Sequence, residues 1–324
     1  MPNIRSSFDE KLPDVDILNP PAELYRPVSV SSGSTYAQRP PALLVRESAN
    51  DLALLSQRRI IAASNIPDKD IPELEDTHLL VTEADVTRIT TLQLLNPINL
   101  VLLKLCPPGI KKIYCNSEIT VGKNSRFNIL WSFTRGGPEA REMFAVLELK
   151  NTYAISEKEF SKACFERDQA KNALEYLIHF TGGPGTYLSG NAQVIAKQAK
   201  KYSNAGEKPP PDPSDEINPR KRLRATSHDR MQEAPQASEN PQVHQPEKKP
   251  CKDIAAFDWI SMFIFDFNDA DEAPENFNPV REAYFQETPY NVAQKFTFRH
   301  VLLGFLIRAL ERHFRQNDHL TGPR

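Results

Sequence analysis

The stretch "MFAVLEL", residues 143–149, constrains the chain most: it carries apolar residues on both strand faces, yet Glu148 sits within it and Lys150 follows. Side chains of a strand alternate between faces, so Phe144, Val146, Glu148 and Lys150 point one way, and Ala145, Leu147 and Leu149 the other. A buried-looking strand that carries a carboxylate and an amine on one face must satisfy both, because an unpaired buried charge is costly. The preceding segment, "RFNILWSF", is also strand-like, and a Gly-Gly-Pro turn joins the two. Its apolar face holds Phe127, Ile129, Trp131 and Phe133. Asn128 lies opposite with Arg126 and Leu130, so hairpin pairing brings Asn128 toward Glu148.

The flanking segments predict layers. "ANDLALLSQRRIIAASN" has helical spacing, and "TEADVTRITTLQLLNPINLVLLKL" reads as a second helix with Thr82 as its cap and Pro97 as a kink or break. "KIYCNSEITVG" is the first strand of the set. "SEKEFSKACFERDQAKNALEYLIHF" reads as a helix opened by a capping box of Ser156 and Glu159. A Gly-rich loop leads to the helix "NAQVIAKQAKKYSN", on which Gln198 and Tyr202 are four apart and so share one face. "IAAFDWISMFIFDF" is the strongest apolar strand. The last helix places Phe298, Leu302, Phe305, Ala309 and His313 near one face, with most of its arginines on the other. This order of elements predicts an α/β fold, a mixed central sheet flanked by helices.

Two segments read as unable to fold alone. Residues 1–43 hold seven prolines and a Ser-rich run, and residues 204–252 hold nine prolines and no aromatic side chain. The expected organisation is therefore a disordered tail over 1–43, then one domain over 44–324 interrupted by a disordered insert at 204–252. A net charge of −2 over 324 residues argues against wholesale electrostatic binding to nucleic acid and leaves a local basic patch open. Cys106, Cys115, Cys164 and Cys251 make no C-x-x-C pair, which fits a reducing compartment. The N-terminus lacks the apolar core of a secretory signal, and the run "VLLGFLI" is too short to span a bilayer, so the expectation is an intracellular protein off the membrane. "TGGPGT" lacks the ending of a P-loop. The run "PRKRLR", residues 219–224, reads as a nuclear import signal or a phosphate-binding arm, against a plain solvated charge cluster.

A first strand bearing an acid, a second bearing Glu-x-Lys, then a helix bearing Gln-x-x-x-Tyr resembles the PD-(D/E)XK nuclease superfamily in its RecB-like branch. The chain is similar to a group of fungal proteins carrying this nuclease-like domain. The pieces that carry the resemblance are "LLNPIN", "NSEITVGKNSRFNILW", "AVLELKN", "IAKQAKKY" and "AAFDWISMFIF", in that order, over roughly residues 80–310. The resemblance implies a restriction-endonuclease-like fold and a centre that holds Mg2+ or Mn2+ and hydrolyses phosphodiesters of DNA or RNA. It makes Glu148 a metal ligand, Lys150 the catalytic lysine, and Gln198 and Tyr202 their supports. Asn128 departs from the pattern, which expects Asp, and a neutral amide weakens the hold on a dication. Glu118 on the neighbouring strand is the candidate compensating anion, against a plain structural role. Two functions follow as expectations: a metal-dependent nuclease weakened or disabled at Asn128, or a non-catalytic nuclease-fold scaffold that binds nucleic acid or protein. Without the resemblance, Glu148 and Lys150 read as a strand-end ion pair and Tyr202 as an inward-packing aromatic.

Overall fold

The computed structural model describes residues 3–18, 20–21, 23–28, 35, 37–72, 78–121, 125–135, 141–182, 185–205, 251–270, 277–287 and 295–318. The insert expected at 204–252, apart from its ends, and the basic run at 219–224 lie outside the described residues.

The chain begins with β1 (Asp16–Ile17), β2 (Leu44–Arg46), α1 (Ala49–Ala62) and β3 (Leu79–Leu80). Next come α2 (Glu83–Thr90), α3 (Asn96–Leu105), and the strands β4 (Lys112–Val121), β5 (Ser125–Thr134) and β6 (Arg141–Leu149). After these come α4 (Glu157–Ser161), β7 (Cys164–Phe165), α5 (Ala170–Thr181) and α6 (Gly190–Ser203). The chain closes with β8 (Asp253–Phe257), β9 (Ser261–Asp266), β10 (Val280–Gln286) and α7 (Phe298–Asp318). Among the described residues an eight-stranded mixed sheet runs β4-β5-β6-β8-β9-β10-β2-β7. β4, β5 and β6 form an antiparallel meander, β8 joins β6 in parallel, and β8, β9 and β10 are antiparallel. β2 and β7 extend the far edge in parallel. β1 and β3 make a separate parallel pair.

Helices cover both faces, because the central strands are apolar on both. One layer packs Ile129, Trp131, Leu147 and Leu149 against α1, α2, α3 and α7. The other packs Leu130, Val146, Ile254 and Phe263 against α4 and α6. α1 and α7 cross so closely that a Cβ on Gly304 would lie 1.8 Å from the Leu52 carbonyl oxygen, so only glycine fits there.

The α2–α3 segment shows how one proline shapes the layer. Thr82 and Asp85 form the capping box of α2. Residues Thr91–Leu95 then form a π turn before Pro97 in the first turn of α3. Pro97 has no N–H, so the carbonyl of Gln93, four residues before, loses its helical donor. Arg299 of α7 supplies it, Nε donating to Gln93 O at 2.8 Å. The expected kink is thus a π turn stabilised from another element.

Several expectations need correction. Residues 1–43 do not form a loose tail where they are described. Ile4 and Phe8 are buried, Thr297 Oγ1 donates to Phe8 O at 2.8 Å, and Arg299 Nη1 donates to Ser7 O at 2.7 Å and Glu10 O at 2.9 Å. Prolines lower the number of backbone donors to satisfy, so an irregular segment with a few apolar anchors can pack against a finished core. The segment starting at Ser156 is α4, β7 and α5, not one helix, because Cys164 and Phe165 pair with Leu44 and Val45 at the sheet edge. Ser156 makes no side-chain cap. "IAAFDWISMFIFDF" is a hairpin. Asp258 Oδ1 accepts from Ile260 N and Ser261 N at 3.1 and 2.7 Å, and Trp259 adopts φ 73° in the turn. Of the arginines read as lying opposite the apolar face of α7, Arg299 is buried, Arg308 and Arg312 pair with Glu47, Asp253 and Asp266 at the ends of the strands, and Arg315 is exposed.

Candidate functional site

β6 is hydrogen-bonded on both sides, to β5 and to β8, so whatever its last residues carry is delivered into the middle of the sheet's edge-to-edge span. Glu148 pairs with Ala256 of β8, and the Lys150 N–H donates to Phe257 O at 2.9 Å, which prolongs the parallel ladder past the strand. Alternation puts Glu148 on the face covered by α6, with Val146. Lys150 Nζ donates to Glu148 Oε1 at 2.7 Å, and Tyr202 Oη donates to Oε2 at 2.9 Å. Glu148, Lys150 and Tyr202 are only 7%, 6% and 5% exposed, so this is a buried ion pair and not a solvated strand-end one. Phe127 packs edge-on against the Tyr202 ring, centroids 4.8 Å apart. Burial, and then the Glu148 charge, hold the Tyr202 phenol far above its ordinary range, so it acts as a hydrogen-bond donor and not as a base.

The position of α6 is set at its first turn. Gly190 has φ 54°, and a Cβ there would fall 1.9 Å from Glu159 Oε1. Glu159 accepts from Ala192 N at 3.1 Å and from Tyr25 Oη at 2.9 Å, so it caps α6 rather than its own helix. That displacement explains the missing capping box at Ser156. Asn191 Nδ2 donates to Arg26 O and to Ala154 O, both at 2.8 Å, and the second bond ties the same turn to the loop that follows Lys150. Helix and strand end are therefore held in register by a small polar cluster.

Gln198 lies one turn before Tyr202 and is buried, and its Oε1 has no hydrogen-bond partner. Lys201, absent from the sequence-based set, is also buried. Desolvation lowers its pKa, while the Glu148 charge opposes that shift. Glu83, in the first turn of α2, lies within electrostatic reach of Tyr202. It was legible only as an acid in a helix's first turn, a common capping signal that carries no hint of a distant site.

Asn128 is used differently from its expected role. Its Oδ1 accepts from the Leu149 N–H at 2.9 Å, substituting for a ladder bond where the β5–β6 pairing ends at Ile129 and Leu147. Glu118 lies on the edge strand β4, exposed, with φ 53°. Two strand spacings, about 10 Å, separate its backbone from that of Glu148. A hard divalent cation asks for several oxygen ligands. Here one carboxylate stands at the centre with both oxygens engaged, and among the described residues no group of three His, Cys, Asp or Glu side chains is placed to hold a metal. The residues as arranged do not fit such an ion.

No family model, curated protein or solved structure matches the chain. The four cysteines are free, and among the described residues no helix is long and apolar enough to cross a membrane.

Proposed function

We propose that the chain is a PD-(D/E)XK nuclease-like domain, of restriction-endonuclease-like fold, that binds the phosphodiester backbone of nucleic acid and has lost metal-dependent cleavage. The order of parts supports this reading. An antiparallel meander ends in Glu-x-Lys, a helix then presents Gln198 and Tyr202, and the chain returns in parallel beside the Glu148 strand. The observation that carries the loss is the engagement of the would-be ligands. Lys150 and Tyr202 occupy both Glu148 oxygens, and the Leu149 N–H occupies Asn128 Oδ1. Lys150 and Lys201 bring two amines to the centre, the kind of group that suits a phosphate.

A second reading, metal-dependent phosphodiester hydrolysis, is favoured by Glu83, an acid near Tyr202 that would add the missing negative charge. It requires Lys150 to release Glu148.

Asn128→Asp separates the two. The new carboxylate keeps the bond to Leu149 N–H and adds an anion on the strand beside Glu148. Two nearby carboxylates repel, so the variant should be less stable than wild type in EDTA and regain stability with Mn2+ or Mg2+. Wild type should bind labelled DNA or RNA in EDTA and leave it uncut with metal present. Asn128→Asp should gain metal-dependent nicking. A thermal midpoint of Asn128→Asp that ignores metal, with no cleavage, would show that Asn128 is not the missing ligand. A cleaving wild type would put the second reading first.

A further inference from the structure

Beyond the Glu148 centre, a cavity of about 190 Å³ opens on the α4 side of the sheet, where β9, β10, β2 and β7 lie side by side. Its lining includes Arg46, Glu157, Phe160, Cys164, Glu282 and Tyr284. Glu282 is 2% exposed, and its Oε2 has no hydrogen-bond partner. The cation beside it is insufficient: Arg46 Nε stands 3.6 Å from Oε1, and its side chain is 51% exposed. Glu47, next along β2, is taken by Arg281 and Arg308 at 3.5 and 2.8 Å and supplies no positive charge. The walls are aromatic. The Phe160 ring stacks on Phe263 at 3.6 Å, and Tyr284 Oη is bonded to Ser261 Oγ at 3.0 Å.

We propose that this cavity binds a small alkylammonium cation, its ammonium paired with Glu282 and its methylenes lying against Phe160 and Tyr284. A buried carboxylate without a full counter-charge favours a cation over an anion or a neutral ligand. Aromatic faces favour an ammonium with a short apolar body. A metal ion is disfavoured, since no trio of ligating side chains gathers here among the described residues. Cys164 adds no nucleophile: burial, followed by the Glu282 charge, pushes its thiol up, so it remains protonated. The site is separate from the Glu148 centre and does not depend on the nuclease-like reading.

The protonation state of Glu282 supplies the readout. Burial pushes its carboxyl up to about 7, against the lowering pull of Cys164 and Arg46. The charged and titratable groups facing it are Arg46 and Glu47 from β2 and its end, Cys164 from β7, Tyr284 from β10 and Glu157 from α4. A raised carboxyl pKa means that the folded state holds its proton longer than the unfolded chain. The stability this group contributes is thus full below the ordinary carboxylate range and is lost as pH rises toward about 7. Glu282→Gln removes that loss, so the variant should melt higher than wild type above pH ~8 and match it near pH ~5.

The experiment is calorimetric titration of butylammonium into the full chain near neutral pH, in two buffers of different ionisation enthalpy. A blocked lysine peptide serves as a second probe. Saturable binding with proton release, weakened about tenfold or more in Glu282→Gln, is the expected result. Binding of the lysine peptide as well as butylammonium assigns the cavity to a basic side chain; binding of butylammonium alone assigns it to a free amine. The melting comparison shows that Glu282→Gln is folded. Absence of saturable heat with both probes, or equal affinity in Glu282→Gln, overturns the proposal.

Discussion

Arg299→Leu is expected to destabilise the protein by about 3–5 kcal/mol, because one buried guanidinium donates to three backbone carbonyls, one of which, Ser7 O, also accepts a longer bond from Glu10 N–H at 3.3 Å. Arg299 is 3% exposed and donates to Gln93 O, Ser7 O and Glu10 O. The first of these carbonyls is orphaned by Pro97 within the helix, and the other two belong to the N-terminal segment that packs beside α7. Leucine fills the apolar part of the space and satisfies none of them. Burial lowers the Arg299 pKa to about 10, so the group is still charged at neutral pH and its bonds are charge-assisted. Urea denaturation of wild type, Arg299→Leu and Arg299→Lys reads the effect. Lysine should recover only part of the loss, since an ammonium lacks the planar fork that reaches separate carbonyls. A loss below about 1 kcal/mol for leucine would mean that water reaches these carbonyls and the N-terminal segment is not anchored as described.

Lys150→Met should cost about 3–5 kcal/mol for a related reason. The Lys150–Glu148 contact at 2.7 Å is buried on both sides, with side-chain exposures of 7% and 9%. Methionine keeps most of the stem and deletes the charge. Glu148 is then left buried with the Tyr202 hydroxyl still donating to it. The double variant Glu148→Gln, Lys150→Met should recover most of the loss, because the penalty belongs to the abandoned partner and not to the pair. Equal losses in the single and double variants would place the cost in packing instead.

Much of this arrangement was legible in the strands and little of it in the segments between them. Two-residue periodicity places Glu148 with Val146 and Lys150, and four-residue periodicity stacks Gln198 with Tyr202. Where the ladder slips, the same rule fails. A bulge between Trp131 and Ser132 leaves Phe144 unpaired, and Phe144 packs into the α1–α7 layer rather than with Val146. Phe127 likewise leaves the layer of Ile129 and Trp131 and packs on Tyr202. Bulges depend on the whole sheet and have no local spelling here. The role of Asp258 as the pivot of a hairpin is hidden in the sequence, because the apolar runs on either side of it merge into one. The N-terminal segment shows the opposite error: proline richness measures how poorly a segment folds alone and says nothing of what α7 offers it. Asn128 was conspicuous as the missing acid, whereas its bond to the Leu149 N–H depends on where the β5–β6 ladder ends.

On the proposed reading, Glu148 is closed by Lys150 and Tyr202 and so holds no divalent ion. Calorimetric titration of Mn2+ into wild type and Glu148→Gln tests it most directly. The expected result is the same heat from both proteins and no Mn2+-dependent cutting of DNA or RNA by wild type. A saturable heat in wild type that vanishes in Glu148→Gln, with cleavage of nucleic acid under the same conditions, would contradict it.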